Sequence, residues 1–412
     1  MGPVRTTGGG QVREDARPAG RRRAAIRGAV LIGGSGEILD FLVPLWAGSA
    51  FGASGTAIGV LLAVELVASV LARPVAGWLA DTRNRPRTAA LGAGLFGLGL
   101  AGYALTPTFD LAYAAAAVGG AGGAVFWVTV RAIVSEYLAE DDGAFASLYS
   151  AVAFGSWFFW VPAMVLLPAL DFRGVFLVLA AVCLVGSGIL AYAGRTAQPR
   201  RRPTPVPGGL RRFRVLLATE ALSGLAAAGV GLLLLLHLQR SFDLDVHQIA
   251  LVFLPGGIAM TVLPRPLHGL VRRFGRRATF VVASLASAVC AGSLAFAPDP
   301  VTIAVLWVLT GASWAALSPI TDAAVTESAG ERVGTAMSLV GNAVFLGSAA
   351  GGVLAGVLYD HAPWAATCLV FAGLIATEAY LGPLALDSLG VRDVPDPESR
   401  DDREDSAVGP PD

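Results

Sequence analysis

The residues in this sequence whose chemistry stands out are carboxylates in apolar surroundings. The stretch GGSGEILDFLVPLW, residues 33 to 46, carries Glu37 and Asp40 three positions apart, a spacing that puts both on one helical face. Glu65 follows in the next apolar stretch, at a depth similar to Asp40 when counted at about 1.5 Å per residue. An acid at the centre of a membrane helix costs roughly 2.5–3.5 kcal/mol on insertion scales, so such groups are functional candidates. No arginine or histidine is expected at that level of the N-terminal half. The three acids therefore read as a proton site, shared or not with a cationic substrate. The rival reading has an acid hydrogen-bonding a backbone break at Gly33, Gly34 or Gly36.

The elements that must carry these acids follow from composition. Of 412 residues, 55% are hydrophobic and only 15% charged, with a mean hydropathy of +0.65, too apolar for a soluble globule of this length. About 20 helical residues cross about 30 Å of hydrocarbon. Twelve such stretches are expected, at 25–47, 57–80, 88–106, 111–138, 145–168 and 174–194, then at 215–238, 248–270, 278–297, 301–327, 334–358 and 364–386. The runs are too long and too continuously apolar for β-barrel strands. All 30 basic residues are arginine. They crowd the segments that would be cytoplasmic with the N-terminus inside, leaving Arg173 and Arg240 to external loops, so both termini are expected in the cytoplasm. Cys183, Cys290 and Cys368 fall within spans and read as packing residues rather than a disulfide framework.

The expected organisation is a basic tail at 1–24, a six-helix bundle at 25–194, a linker at 195–214, a second bundle at 215–386 and an acidic, disordered tail at 387–412. The halves repeat. RPVAGWLADTRNRPR from Arg73 matches RPLHGLVRRFGRRAT from Arg265, pairing Gly77 with Gly269 and Arg85 with Arg277 at an offset of 192. VSEYLAEDDGAFASLYSAVAF matches VTESAGERVGTAMSLVGNAVF, pairing Glu136 with Glu327 at an offset of 191. One single-residue indel reconciles the two, as in a duplicated transporter.

Gly77, Asp81 and Arg85 form G-x-x-x-D-x-x-x-R in the turn between helices 2 and 3, which resembles the signature loop of the major facilitator superfamily, with a weaker copy between helices 8 and 9. The resemblance implies an all-α membrane fold of two pseudo-symmetric six-helix bundles and a charge cluster that locks one state. Gly77 would let helix 2 approach a neighbour closely. Asp81 would face the positive end of another helix, and Arg85 would bridge Asp81 and Glu136. The second copy has Arg273 where the acid belongs, and Arg87, Arg276 and Arg277 read as topology signals and headgroup contacts.

Arg131 and Asp322 also stand 191 apart, in helices 4 and 10. In the family fold these helices face each other across the cavity, so the pair reads as a cytoplasmic gate; alternatively Arg131 reaches Glu136 or joins the Asp81 and Arg85 cluster. Glu220 and Glu378 read as lone structural acids. Phe126, Trp127, Trp157 and Trp160 could line the cavity and bind planar or cationic ligands.

The expected function is proton-coupled export of a small amphipathic or cationic compound by alternating access. The alternatives are a proton-coupled uptake symporter for a small nutrient and a non-transporting membrane sensor or assembly partner. No nucleotide loop, metal cluster or nucleophile motif points to an enzyme, a cofactor or a nucleic-acid partner. The expected partners are a small-molecule substrate, protons and lipid, for a monomer in the cell (inner) membrane.

Overall fold

The computed structural model describes residues 11–137, 144–195, 213–329 and 333–394, and every regular element among them is helical. Most of the linker expected at 195–214, the first ten residues and the tail beyond residue 394 lie outside the described residues. The described residues fall into two compact units, those before 208 together with 352–360, and those of 208–351 together with those from 361 onward.

The first unit contains α1 (Gln11–Phe51), α2 (Gly55–Thr82), α3 (Arg85–Leu105), α4 (Phe109–Val134) and α5 (Ala144–Ala193). α1 begins ahead of residue 25, where the first span was expected. α5 covers two expected spans as one 50-residue element, interrupted where Asp171 adopts φ 54°. Local chemistry sets the other boundaries. Ser54 accepts a hydrogen bond from the Ala57 N–H and Asn84 one from the Arg87 N–H, capping α2 and α3. Three aromatic rings, Trp46, Tyr103 and Phe176, meet inside this unit with centroids 5.5–5.9 Å apart.

The second unit contains α6 (Arg214–Arg240), α7 (Val246–Val262), α8 (Pro264–Phe274), α9 (Arg276–Ser293), α10 (Pro300–Ala329), α11 (Val333–His361) and α12 (Trp364–Leu389). Residues 352–360 of α11 group with the first unit. The expected span 248–270 divides at Leu263, because Pro264 has no N–H to continue the ladder of α7 and instead opens α8. Asp245 and Gln248 close a capping box on α7. Ahead of α10, Asp299 accepts from the Thr302 and Val301 N–H groups, and these bonds, led by Thr302, hold its carboxyl below the usual range. α12 ends in a left-handed Gly390, after which Asp393 docks on the start of α9. The tail expected from residue 387 is thus ordered helix and cap through this stretch.

Ten helices among the described residues are long and apolar enough to cross a membrane. The break in α5 and the α7 and α8 pair bring the crossings to the twelve expected.

Candidate functional site

Glycines set how closely α1 and α5 approach. A Cβ on Gly34 would lie 2.5 Å from the Gly155 carbonyl oxygen, and one on Gly155 would lie 2.4 Å from that of Val30. α1 stays helical through Gly33, Gly34 and Gly36. The glycines are packing surface, so the rival reading of a backbone break satisfied by an acid is set aside.

On this rigid helix, Ile38, Leu39 and the run from Phe41 to Ala47 are buried, whereas Glu37 and Asp40 are exposed. The two acids occupy the uncovered face of a helix otherwise packed on its neighbours. Glu65 of α2 and Glu37 are the acidic neighbours of Asp40. α2 is brought close to α4 at Gly120, where a Cβ would stand 2.0 Å from the Glu65 carbonyl oxygen. None of the ion pairs among the described residues involves Glu37, Asp40 or Glu65. The sequence reading missed Tyr103 of α3. It is 2% exposed, lies beside Glu65 and Asp40, and has a buried hydroxyl without a hydrogen-bond partner. Its aromatic type in an alanine- and glycine-rich helix was the available signal.

The expected aromatics separate. Phe126 is fully buried, edge-on to Trp127 at 5.1 Å, and is a packing residue of the unit rather than a cavity wall. Trp127 and Trp157 are half-buried, and Trp160 packs on Phe41, next to Asp40, with centroids 5.8 Å apart.

At the turn between α2 and α3, Arg85 pairs with Glu136, stands 3.8 Å from Asp81, and donates to the Ala80 and Ala132 carbonyls at 3.0 and 2.9 Å. Gly77 departs from expectation: a Cβ there meets nothing within 4 Å, because Ala76 and Ala80 form the buried stripe of this turn. In the second unit Arg276, 5% exposed, grips both oxygens of Glu327 at 2.5 and 2.7 Å and donates to the Arg392 carbonyl. Arg276 is therefore a structural anchor and not a headgroup contact. It is also the counterpart of Arg85, since both arginines precede their glutamate by 51 residues. The indel falls before Arg85, which is why the simple alignment placed Arg277 there. Arg277 pairs with Asp387 instead.

Arg131 lies beside Arg73 within the first unit. Asp322 belongs to a cavity of about 510 Å³ inside the second unit, together with Glu220 and Glu378. The reading of Glu220 and Glu378 as lone acids gives way to this grouping, and no single stretch of sequence signals it.

An all-helical membrane protein of twelve crossings with acids on open helix faces is a transporter architecture rather than an enzyme. The chain belongs to the Major Facilitator Superfamily, whose family profile matches residues 27–219 and again 216–410, once for each half. Solved structures share the fold at low identity. The nucleoside transporter NupG, as a D323A mutant, superposes with a TM-score of 0.71 at 14% identity, covering 89% of this chain and 99% of that one. A bacterial homologue of the human drug peptide transporters PepT1 and PepT2 gives 0.65 at 16%, covering 90% and 98%. A bacterial homologue of the human lysosomal transporter Spinster, inward-facing and unoccupied, gives 0.72 at 13%, covering 92% and 99%. No curated protein matches the sequence.

Proposed function

We propose that this transporter couples the export of a small amphipathic or cationic compound to proton movement, with Glu37, Asp40 and Glu65 as the proton or cation site. The observation that carries the reading is the uncovered face of α1, where two acids interrupt a buried apolar run and a third stands beside them with no basic partner. A carboxylate group in that setting is neutralised in turn by a proton or by a positive cargo, and exchange between the two is coupling. Tyr103 positions the pair by offering its hydroxyl to whichever acid is charged. Arg85 with Asp81 and Glu136 acts as a conformational lock at the turn between α2 and α3.

The test is transport in proteoliposomes under an imposed pH gradient, with a panel of amphipathic amines, comparing wild type with Glu37→Gln and Asp40→Asn. The expected result is gradient-driven accumulation by wild type that falls at least roughly tenfold in Asp40→Asn, as when a charged partner is removed. Equal transport by all three proteins, without pH dependence, would refute coupling through these acids.

A further inference from the structure

The second unit contains a site that the proton reading does not use. α6, α10 and α12 bring Glu220, Asp322 and Glu378 to one cavity of about 510 Å³, a size typical of small-molecule sites. Asp322 neighbours Glu220, and Glu220 neighbours Glu378. No lining residue is basic: α7 contributes Met260, α9 Phe280, α10 also Trp314, and α11 Val340, Val344 and Ser348. Thr321 and Ser223 are within hydrogen-bonding reach of Glu220 and Glu378 respectively. Even so, Glu378, only 3% exposed, has Oε1 buried without any partner. A buried carboxyl oxygen left without a donor is costly, and one facing a cavity is a vacancy for a donor or a cation.

We propose that this cavity is a binding site for a small organic cation, a protonated or quaternary amine with an apolar body, held by Glu378, Glu220 and Asp322 and faced by Trp314. The three acids supply more negative charge than their hydroxyl neighbours can offset. Apart from hydroxyls such as Ser318 and Ser348, the rest of the wall is aromatic and aliphatic, which suits an organic cation through apolar burial and cation–π attraction. A bare metal ion such as calcium would gain nothing from the Met260, Phe280 and Trp314 part of this wall, since it is held by oxygen ligands alone. The site lies within one unit and stands independently of the acids on α1.

Binding of benzyltrimethylammonium to the full-length protein in lipid nanodiscs, followed by isothermal titration, tests the assignment. Its neutral carbon isostere, neopentylbenzene, serves as control. Wild type is expected to show saturable binding of the cation and binding of the isostere roughly tenfold weaker or worse. Glu378→Gln and Trp314→Ala should each weaken the cation about tenfold. Asp322 is exposed, so Asp322→Asn keeps the fold and should also weaken binding, which guards against misfolding of the buried variant. The double variant Glu37→Gln with Asp40→Asn tells the two sites apart: cation binding that still falls on adding Glu378→Gln in that background belongs to the second unit's cavity. Absence of saturable binding, equal affinity in Glu378→Gln and Asp322→Asn, or loss only in the Glu37 and Asp40 variant would each overturn the proposal.

Discussion

Arg85 with Glu136 and Arg276 with Glu327 are one device built twice, and the two copies differ in strength. Arg85 reaches a single oxygen of Glu136 and divides its other donors between Asp81 and two carbonyls. Arg276 makes a two-pronged contact and is more deeply buried. Removing Arg276 takes from Glu327 its two-pronged partner and from the Arg392 carbonyl one donor. Glu327 itself is half exposed, so the loss lies between the surface and buried limits, about 2 kcal/mol. Thermal denaturation of detergent-purified protein should show Arg276→Ala destabilised by that amount. Arg276→Lys should recover little of it, because an ammonium cannot make the paired contact. Wild-type melting of both variants would mean that the pair contributes nothing. The sequence held the key to this equivalence in the shared 51-residue spacing, but an alignment anchored on Arg73 and Arg265 carried the offset one position too far.

Helices lie largely where apolar run length placed them, because a span needs only length and hydrophobicity. The break at Asp171 falls in the gap expected between the spans at 145–168 and 174–194, just after Pro168, whereas the division at Pro264 falls inside a span read as continuous, because a proline in an apolar run does not by itself tell a kink from an end. The acids of α1 were legible because charge in an apolar run is conspicuous. The convergence of Glu220, Asp322 and Glu378 was not, since three helices far apart in sequence must pack before the acids meet. Which glycines are structural was equally hidden. A Cβ at Gly34 would collide with the α5 backbone, while one at Gly36 would rest 3.7 Å from the Phe96 ring. Gly34→Ala should therefore force α1 from α5 and lower stability by about 1–3 kcal/mol. Gly36→Ala should be neutral or slightly stabilising through helix propensity, by under about 1 kcal/mol. Parallel melting curves settle it, and equal behaviour of the two variants would remove the close approach of α1 and α5 as a constraint.

The arginine distribution makes a claim about the whole molecule that its helices alone do not. The N-terminal tail, the turn at Arg83, the 195–214 linker and the start of α9 carry dense positive charge, whereas the turns at 106–108 and 241–245 are nearly free of it. Insertion retains arginine-rich short loops on the cytoplasmic side, so the turn between α2 and α3 should be inside and the turn between α3 and α4 outside. The native thiols do not interfere, because Cys183, Cys290 and Cys368 are buried. A membrane-impermeant maleimide applied to right-side-out vesicles should label Thr108→Cys directly and Arg83→Cys only after permeabilisation, both positions being exposed. The reverse pattern would invert the protein in the membrane.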